Sequence, residues 1–322
     1  MKTVALALGS LALALTSAVS AQSWPSRPIK VVVPFAAGGN ADITARLIAK
    51  QLSDDLKTPV VVENKPGANG IIGLEAARMA APDGYTLLVA PSSPLVVNPV
   101  LYKKVPYDSV KDFEPISQII TYQYVLVVPT ASKITTLPDL AKQAREKPGA
   151  LTYGSSGVGG GGHLAGELLA LQMDAKLNHI PYKGTAPALA DLLGGQLSFT
   201  WDTVMTTVPQ VQGGKLRPIA VSGPQRTASL PDVPTMRELG YKNYEITQFV
   251  GLLAPAKTPP QIIERLHAGV QKAIKAPEVI KALKTDGGND LVGSSPAEFK
   301  SLIASELAFY RKLVSDANIK EE

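Results

Sequence analysis

Apolar positions along this chain follow two spacings that take turns. Short apolar, β-branched runs at Ile29–Val33, 60–62, 85–90, 197–201 and Leu216–Val221 are the length of buried strands. Between them apolar residues recur every three or four positions. Ile43, Leu47, Ile48, Leu52 and Leu56 mark one amphipathic helix, and 71–79, 137–147, Thr185–Leu193 and 203–212 predict others. Further helices start near Pro259 and Pro260, and at Ser295 to Glu298, a capping box with proline at the first helical position. Strand and helix alternate from residue 29, which predicts an α/β fold around a parallel sheet. Ligands of such sheets collect at the carboxyl ends of the strands.

One stretch breaks the alternation and concentrates the chemistry. A short strand at 151–153 stops at Gly154, and five of the next eight residues are glycine, with Ser155 and Ser156 among the rest. Leu164, Leu168 and Leu171 then resume helical spacing, so the order is strand, bare loop, helix. Glycines let a ligand approach the loop backbone closely, and a helix start offers free N–H groups to an anion. Gly157, Gly159 and Gly162 spell a dinucleotide fingerprint, but the following strand (176–180) ends in Pro181, Tyr182 and Lys183 without the acid that holds a ribose. A phosphate loop needs lysine where Gly160 stands, and a hydrolase elbow needs glycine where Val158 stands. A general seat for a carboxylate or phosphate remains. Gly38 and Gly39 end the first strand in the same way, in the other half of the chain.

Two similar segments, 123–129 and 248–255, read as extended crossings between lobes. They divide the chain into one lobe made of 22–122 and 248–322 and a second lobe, 123–247, with a cleft between them.

Composition narrows the classes. Lys2, an apolar run from Val4 to Leu15 and small residues at Val19 and Ala21 predict a secretory signal peptide over 1–21, cut after about Ala21. Its removal takes away Lys2 and lowers the formal net charge from +5 to +4. The basic residues are scattered, which argues against nucleic acid as a partner. There is no cysteine, which removes disulfides, thiol catalysis and thiolate metal sites. The three histidines, His163, His179 and His267, form no metal-spaced pair. No metal, no cofactor and no catalytic residue is expected. The enzyme alternative is an exported serine hydrolase using Ser155 or Ser156.

Trp24-Pro-Ser-Arg-Pro-Ile-Lys-Val-Val-Val-Pro-Phe-Ala-Ala-Gly-Gly39, with Asp42 and Arg46, resembles the opening of the Bug receptors, the extracytoplasmic solute-binding proteins of tripartite tricarboxylate transporters. Val62-Glu-Asn-Lys-Pro-Gly-Ala-Asn-Gly70, Pro82-Asp-Gly-Tyr85, Asn98-Pro-Val-Leu-Tyr102, the glycine loop with His163 to Glu167, Pro181-Tyr-Lys-Gly184, Pro231-Asp-Val-Pro-Thr235 and Gly251-Leu-Leu-Ala-Pro255 match in order. Phe249 stands where the family pattern has tryptophan. The resemblance implies a two-lobed type II periplasmic binding protein fold hinged on two crossing strands. It implies a monomer that captures a small carboxylate through backbone N–H groups, hydroxyls and water, for uptake through membrane transporter subunits or for sensing.

The candidate ligand-binding residues are Gly38 and Gly39 as N–H donors, Phe35 as an apolar wall, and Ser155, Ser156, Gly157 and Gly160 as the anion seat. His163 is a donor or a structural histidine. Ser92 and Ser93 are donors or caps, in a stretch that varies within the family. Asp202 holds an ammonium group, orders water or caps the next helix.

Overall fold

The computed structural model describes residues 24–316; the expected signal peptide lies outside them. In chain order the elements are β1 (Ile29–Val33), α1 (Asn40–Leu56), β2 (Val60–Asn64), α2 (Ile71–Arg78), β3 (Thr86–Pro91), α3 (Asn98–Leu101), β4 (Phe113–Pro129), α4 (Leu137–Glu146), β5 (Thr152–Ser155) and α5 (Gly161–Met173). Then come β6 (Asn178–Pro181), α6 (Thr185–Leu193), β7 (Phe199–Thr203), α7 (Val204–Gln212), β8 (Leu216–Val221), β9 (Thr247–Pro255), α8 (Pro260–Ala273), α9 (Pro277–Val279), β10 (Asp290–Leu291) and α10 (Pro296–Asp316).

The strands follow one path, β2-β1-β3-β9-β4-β7-β5-β6, with β8 and β10 also pairing β4. β1 pairs β2 and β3 in parallel, and β5 pairs β6 and β7 in parallel, as strand–helix alternation predicts. The sheet is nevertheless mixed, because β9 enters antiparallel between β3 and β4, and β4 is antiparallel to β7 and β8. The two segments read as crossings are therefore parts of neighbouring strands, with Gln123 opposite Thr247.

β4 is longer than the apolar run at 123–129 announces. Pro115, Ser117 and Gln118 interrupt the pattern upstream, and the register shifts between Pro115 and Ser117 and again between Gln118 and Ile120. Bulges of this kind hide a strand from a period-two reading. Along its length β4 changes partner. Phe113 to Gln123 pairs β9, while Tyr124 to Pro129 pairs β7 and β8.

Helix packing follows the apolar stripes. Ala45, Ile48 and Leu52 of α1 are buried against Ile29, Val31 and Val33 of β1 in the main core. Each fully buried leucine of this kind contributes about 2 kcal/mol, so Leu52→Ala would cost several times the effect of an exposed change. On the other face, Phe299 of α10 packs over Gly251 of β9, where a Cβ would run into its ring. These layers fix the strand ends around which the cleft is built.

Candidate functional site

Strand ends and helix N-termini meet around one cavity that is open at its mouth. The turn after β1 and the first turn of α1 contribute Phe35, Gly39, Asn40, Ala41 and Asp42. The end of β3 and the turn after it contribute Pro91 and Ser93, and β4 contributes Tyr122 and Tyr124. Ser156 follows β5, Thr185 begins α6 and Thr203 ends β7. No lysine, arginine or histidine belongs to this lining.

The start of α1 has the features of an anion seat. Its N-cap, Gly39, is extended (φ −83, ψ 169), and no side chain caps the helix. The first N–H groups of a helix have no acceptor inside it, and the helix dipole is positive there. Here they belong to residues of the cavity wall. The one acid in this turn is already neutralised. Asp42 accepts the Gly38 N–H (2.9 Å), Arg46 Nε (3.0 Å) and Asn64 Nδ2 (2.9 Å). Burial by itself raises the Asp42 pKa, but Arg46, the Gly38 N–H and Asn64 outweigh it and hold the carboxyl below its ordinary value. Gly38 sits at φ +85, which a side chain would resist, and its N–H is aimed at Asp42.

The opposite wall accepts hydrogen bonds. Tyr122 and Tyr124 both donate to Gln248 Oε1, at 3.3 and 3.0 Å. With their protons directed to β9, the two hydroxyl oxygens keep lone pairs for other donors.

Of the glycine loop, only Ser156 reaches the cavity. Ser155 Oγ lies 2.7 Å from His179 Nε2 and accepts the Gly157 N–H at 3.1 Å. The Gly159 N–H donates to His163 Nδ1 (3.0 Å) and the Gly160 N–H to the Gly157 carbonyl (2.9 Å). Three of the loop's N–H groups are thus engaged locally. Its bareness serves a different approach. A Cβ on Gly157 would sit 3.4 Å from Asn69, and one on Gly159 would sit 3.0 Å from Leu101. Tyr102 donates to the Val158 carbonyl at 2.9 Å. Asn69, itself at φ 45, donates to Asn98 Oδ1 at 2.7 Å. What comes close to these glycines is the 69–102 region of the same chain.

Phe35, Gly39, Ser93 and Ser156 line the cavity; Gly38, Ser92, Ser155, Gly157, Gly160, His163 and Asp202 are not part of its lining. Ser92 is fully buried, and its hydroxyl has no partner among the described residues. Asp202 directly precedes Thr203. Its Oδ1 accepts the Thr203 N–H at 2.6 Å, while Oδ2 is buried without a partner among the described residues. Burial pushes the Asp202 carboxyl up to about 6, against the pull of the Thr203 N–H and Thr206. His163 is buried and stacks on His179 at 4.2 Å between ring centres. Burial pushes His179 down to about 4.

A serine next to a histidine is the start of a hydrolase, and Ser155 with His179 has that spacing. Ser155 is only 2 % exposed and off the cavity wall, so no substrate carbonyl meets it there. Ser156 is on the wall, and no histidine is.

Sequence reasoning missed Asn40, Ala41, Tyr122, Tyr124, Thr185 and Thr203. Asn40 and Ala41 directly follow Gly39, and a helix start after a glycine pair was signal enough to include them. Tyr122 and Tyr124 are two apart, hence on one face of a strand, but Tyr124 lies inside and Tyr122 just before a segment read as a crossing.

The chain matches the tripartite tricarboxylate transporter family receptor over residues 44–319. The periplasmic binding protein BugD is 32 % identical in sequence and covers 93 % of this chain and 100 % of its own, with a TM-score of 0.89. MatC from Rhodopseudomonas palustris, solved with bound malate, is 30 % identical and covers 90 % of this chain and 100 % of its own, at a TM-score of 0.86. Rpa4515 of R. palustris, solved with adipate, is 32 % identical and covers 92 % and 99 %, at a TM-score of 0.88.

Proposed function

This chain belongs to the receptor family of tripartite tricarboxylate transporters, and we propose that it captures one small carboxylate between its lobes for delivery to membrane subunits of such a transporter. The family is one of solute receptors, and its solved members share this α/β periplasmic binding fold. The observation that carries the proposal is the uncapped start of α1, Gly39 to Asp42, opening on a cavity without a basic side chain. Such a helix start holds an anion by backbone N–H groups and dipole alone. Malate in MatC and adipate in Rpa4515 make carboxylates the class to test first.

In this reading 22–122 with 248–322 is one lobe and 123–247 the other, and closure brings Gly39 and Ser156 to the same carboxylate. Phe35 walls its carbon chain, and Ser93 donates from the third strand end. Ser155, Gly157, Gly160 and His163 shape the loop that meets Asn69, while Gly38, Ser92 and Asp202 back the wall. The chain works as a periplasmic monomer after export and removal of 1–21. A thermal-shift screen of mono-, di- and tricarboxylates with amino acids and nicotinate tests the reading. At least one carboxylate should raise the melting temperature in a saturable way; a flat response across the whole set rejects it.

A further inference from the structure

Asn40 carries a signal that the carboxylate reading leaves unused. It is the first residue of α1, belongs to the cavity lining and is 4 % exposed. Neither its amide oxygen nor its amide nitrogen has a hydrogen-bond partner among the described residues. Buried amides nearly always find partners, because one left unpaired forfeits its bonds to water. Turning the amide over changes nothing, since both atoms are unsatisfied. The charged and phenolic groups of the same lining are bonded to other residues. Asp42 is held by Gly38, Arg46 and Asn64, and Tyr122 and Tyr124 donate to Gln248. No described residue supplies the partner, which leaves that role to a molecule brought into the cavity.

The two needs of the amide are opposite. Nδ2 requires an acceptor, which a carboxylate oxygen supplies. Oδ1 requires a donor, and a carboxylate has none. A bare carboxylate would satisfy one atom and leave the other facing negative charge. Because both amide atoms sit on one carbon, the group they recognise must present its donor and acceptor equally close together. A hydroxyl or ammonium on the carbon next to a carboxylate does so.

We propose that Asn40 is a specificity-determining residue that selects an α-hydroxy or α-amino carboxylate, its Nδ2 donating to the carboxylate and its Oδ1 accepting from the neighbouring hydroxyl or ammonium. The proposal rests on the carboxylate-receptor reading and sharpens it. The rest of the cavity favours the same class. The hydroxyl oxygens of Tyr122 and Tyr124, whose protons go to Gln248, keep lone pairs for such a donor.

Calorimetry at pH 7 with matched acids decides the matter. The sets are propionate, lactate and alanine; succinate, malate and aspartate; and glutarate, 2-hydroxyglutarate and glutamate, with adipate and benzoate as further plain carboxylates. In the set that binds, the substituted acid should bind at least about tenfold more tightly than its parent, the loss expected when a buried carbonyl goes unpaired. The hydroxyl and ammonium arms show which donor is taken. In Asn40→Leu the preference should shrink to within about threefold, and the ligand-free variant should melt no lower than wild type, its amide having no bond to lose. A plain carboxylate binding as tightly as its substituted partner, binding by adipate or benzoate alone, or a preference surviving Asn40→Leu overturns the proposal and leaves the carboxylate reading standing. A marked fall in melting temperature also overturns it, by showing that the amide is bonded within the protein. Binding by none of the acids overturns both.

Discussion

Ala36 donates its backbone N–H to the carbonyl of Lys183 at 3.2 Å, joining the turn after β1 to the turn after β6. These turns belong to opposite ends of the strand path, and they meet beside the cavity. Three residues further along the first turn and two along the second, a Cβ placed on Gly39 would lie 2.9 Å from Thr185 Oγ1. The turns are in contact, and the contact can be trapped.

The double variant Gly39→Cys with Thr185→Cys should form an intramolecular disulfide under mild oxidation. Gly39 has an ordinary negative φ, −83, so a side chain is tolerated. The chain has no cysteine of its own, so the only thiols are the two introduced. A faster-migrating species on a non-reducing gel and a mass lower by two hydrogens identify the bridge. If the thiols stay free under oxidation, the turns do not come together in solution.

The glycine loop should respond to substitution in two separable ways. Gly159 sits at φ +76, so Gly159→Ala should lower stability by about 1–2 kcal/mol, with further loss from crowding Leu101 and Asn98. Ser156→Ala should leave stability near wild type and weaken binding of an active carboxylate by about 1–3 kcal/mol. Denaturant melts and calorimetry on both variants check this. A Ser156→Ala protein with unchanged affinity would remove that hydroxyl from the site.

A half-buried histidine and a buried aspartate should tilt the pH profile of stability in opposite directions. His179 has its pKa lowered from 6.5 to about 4 by burial, so the unfolded chain binds its proton more readily. Its contribution is present above pH 6.5 and is lost as pH falls towards 4. For a partly exposed ring this amounts to about 1–2 kcal/mol. Asp202 has its pKa raised from 3.8 to about 6, so the folded chain holds its proton more tightly. Its contribution is full below pH 3.8 and is lost as pH rises through 6. Asp202→Asn should therefore stabilise the ligand-free protein by about 1–3 kcal/mol above pH 6 and by little at pH 4. His179→Gln should flatten the acid limb. Urea melts from pH 4 to pH 8 report both slopes, and an unchanged difference between Asp202→Asn and wild type across that range would refute the Asp202 assignment.

The mature protein should begin at Gln22. Intact mass of the periplasmic fraction tests this directly, and a full-length cytosolic product would contradict export.

Much of the architecture was legible because burial dictates pattern. α6 and β8 fall on the expected residues, Thr185–Leu193 and Leu216–Val221, where apolar spacing is clean and glycine or proline marks an end. The long strand β4 was half hidden, since Pro115 and the two register shifts break its period. The insertion of β9 beside β3 was hidden too, because strand order depends on contacts across more than 150 residues rather than on local spacing. At the site, Gly39 announced itself by position after a strand. The glycine loop is ambiguous for a physical reason: a backbone kept bare to admit a ligand and one kept bare to admit Asn69 carry the same residues. Tyr122 and Tyr124 acquire their role only when Gln248 arrives from β9 to take their protons.

β4 pairs one set of strands through Gln123 and another from Tyr124 onward without leaving extended conformation. Rotation of the two strand sets against each other therefore has no slack linker to absorb it and must be taken up as torsion along this shared strand. β4 then works as a torsion bar, with the neighbouring β9 antiparallel to it over Phe113 to Gln123 as a second leaf of the same spring. A spring of this kind has a resting angle set by the sequence and an elastic return. If the two strand sets rotate when a ligand binds, the twist taken up by β4 would favour their return once the ligand's contacts are given up.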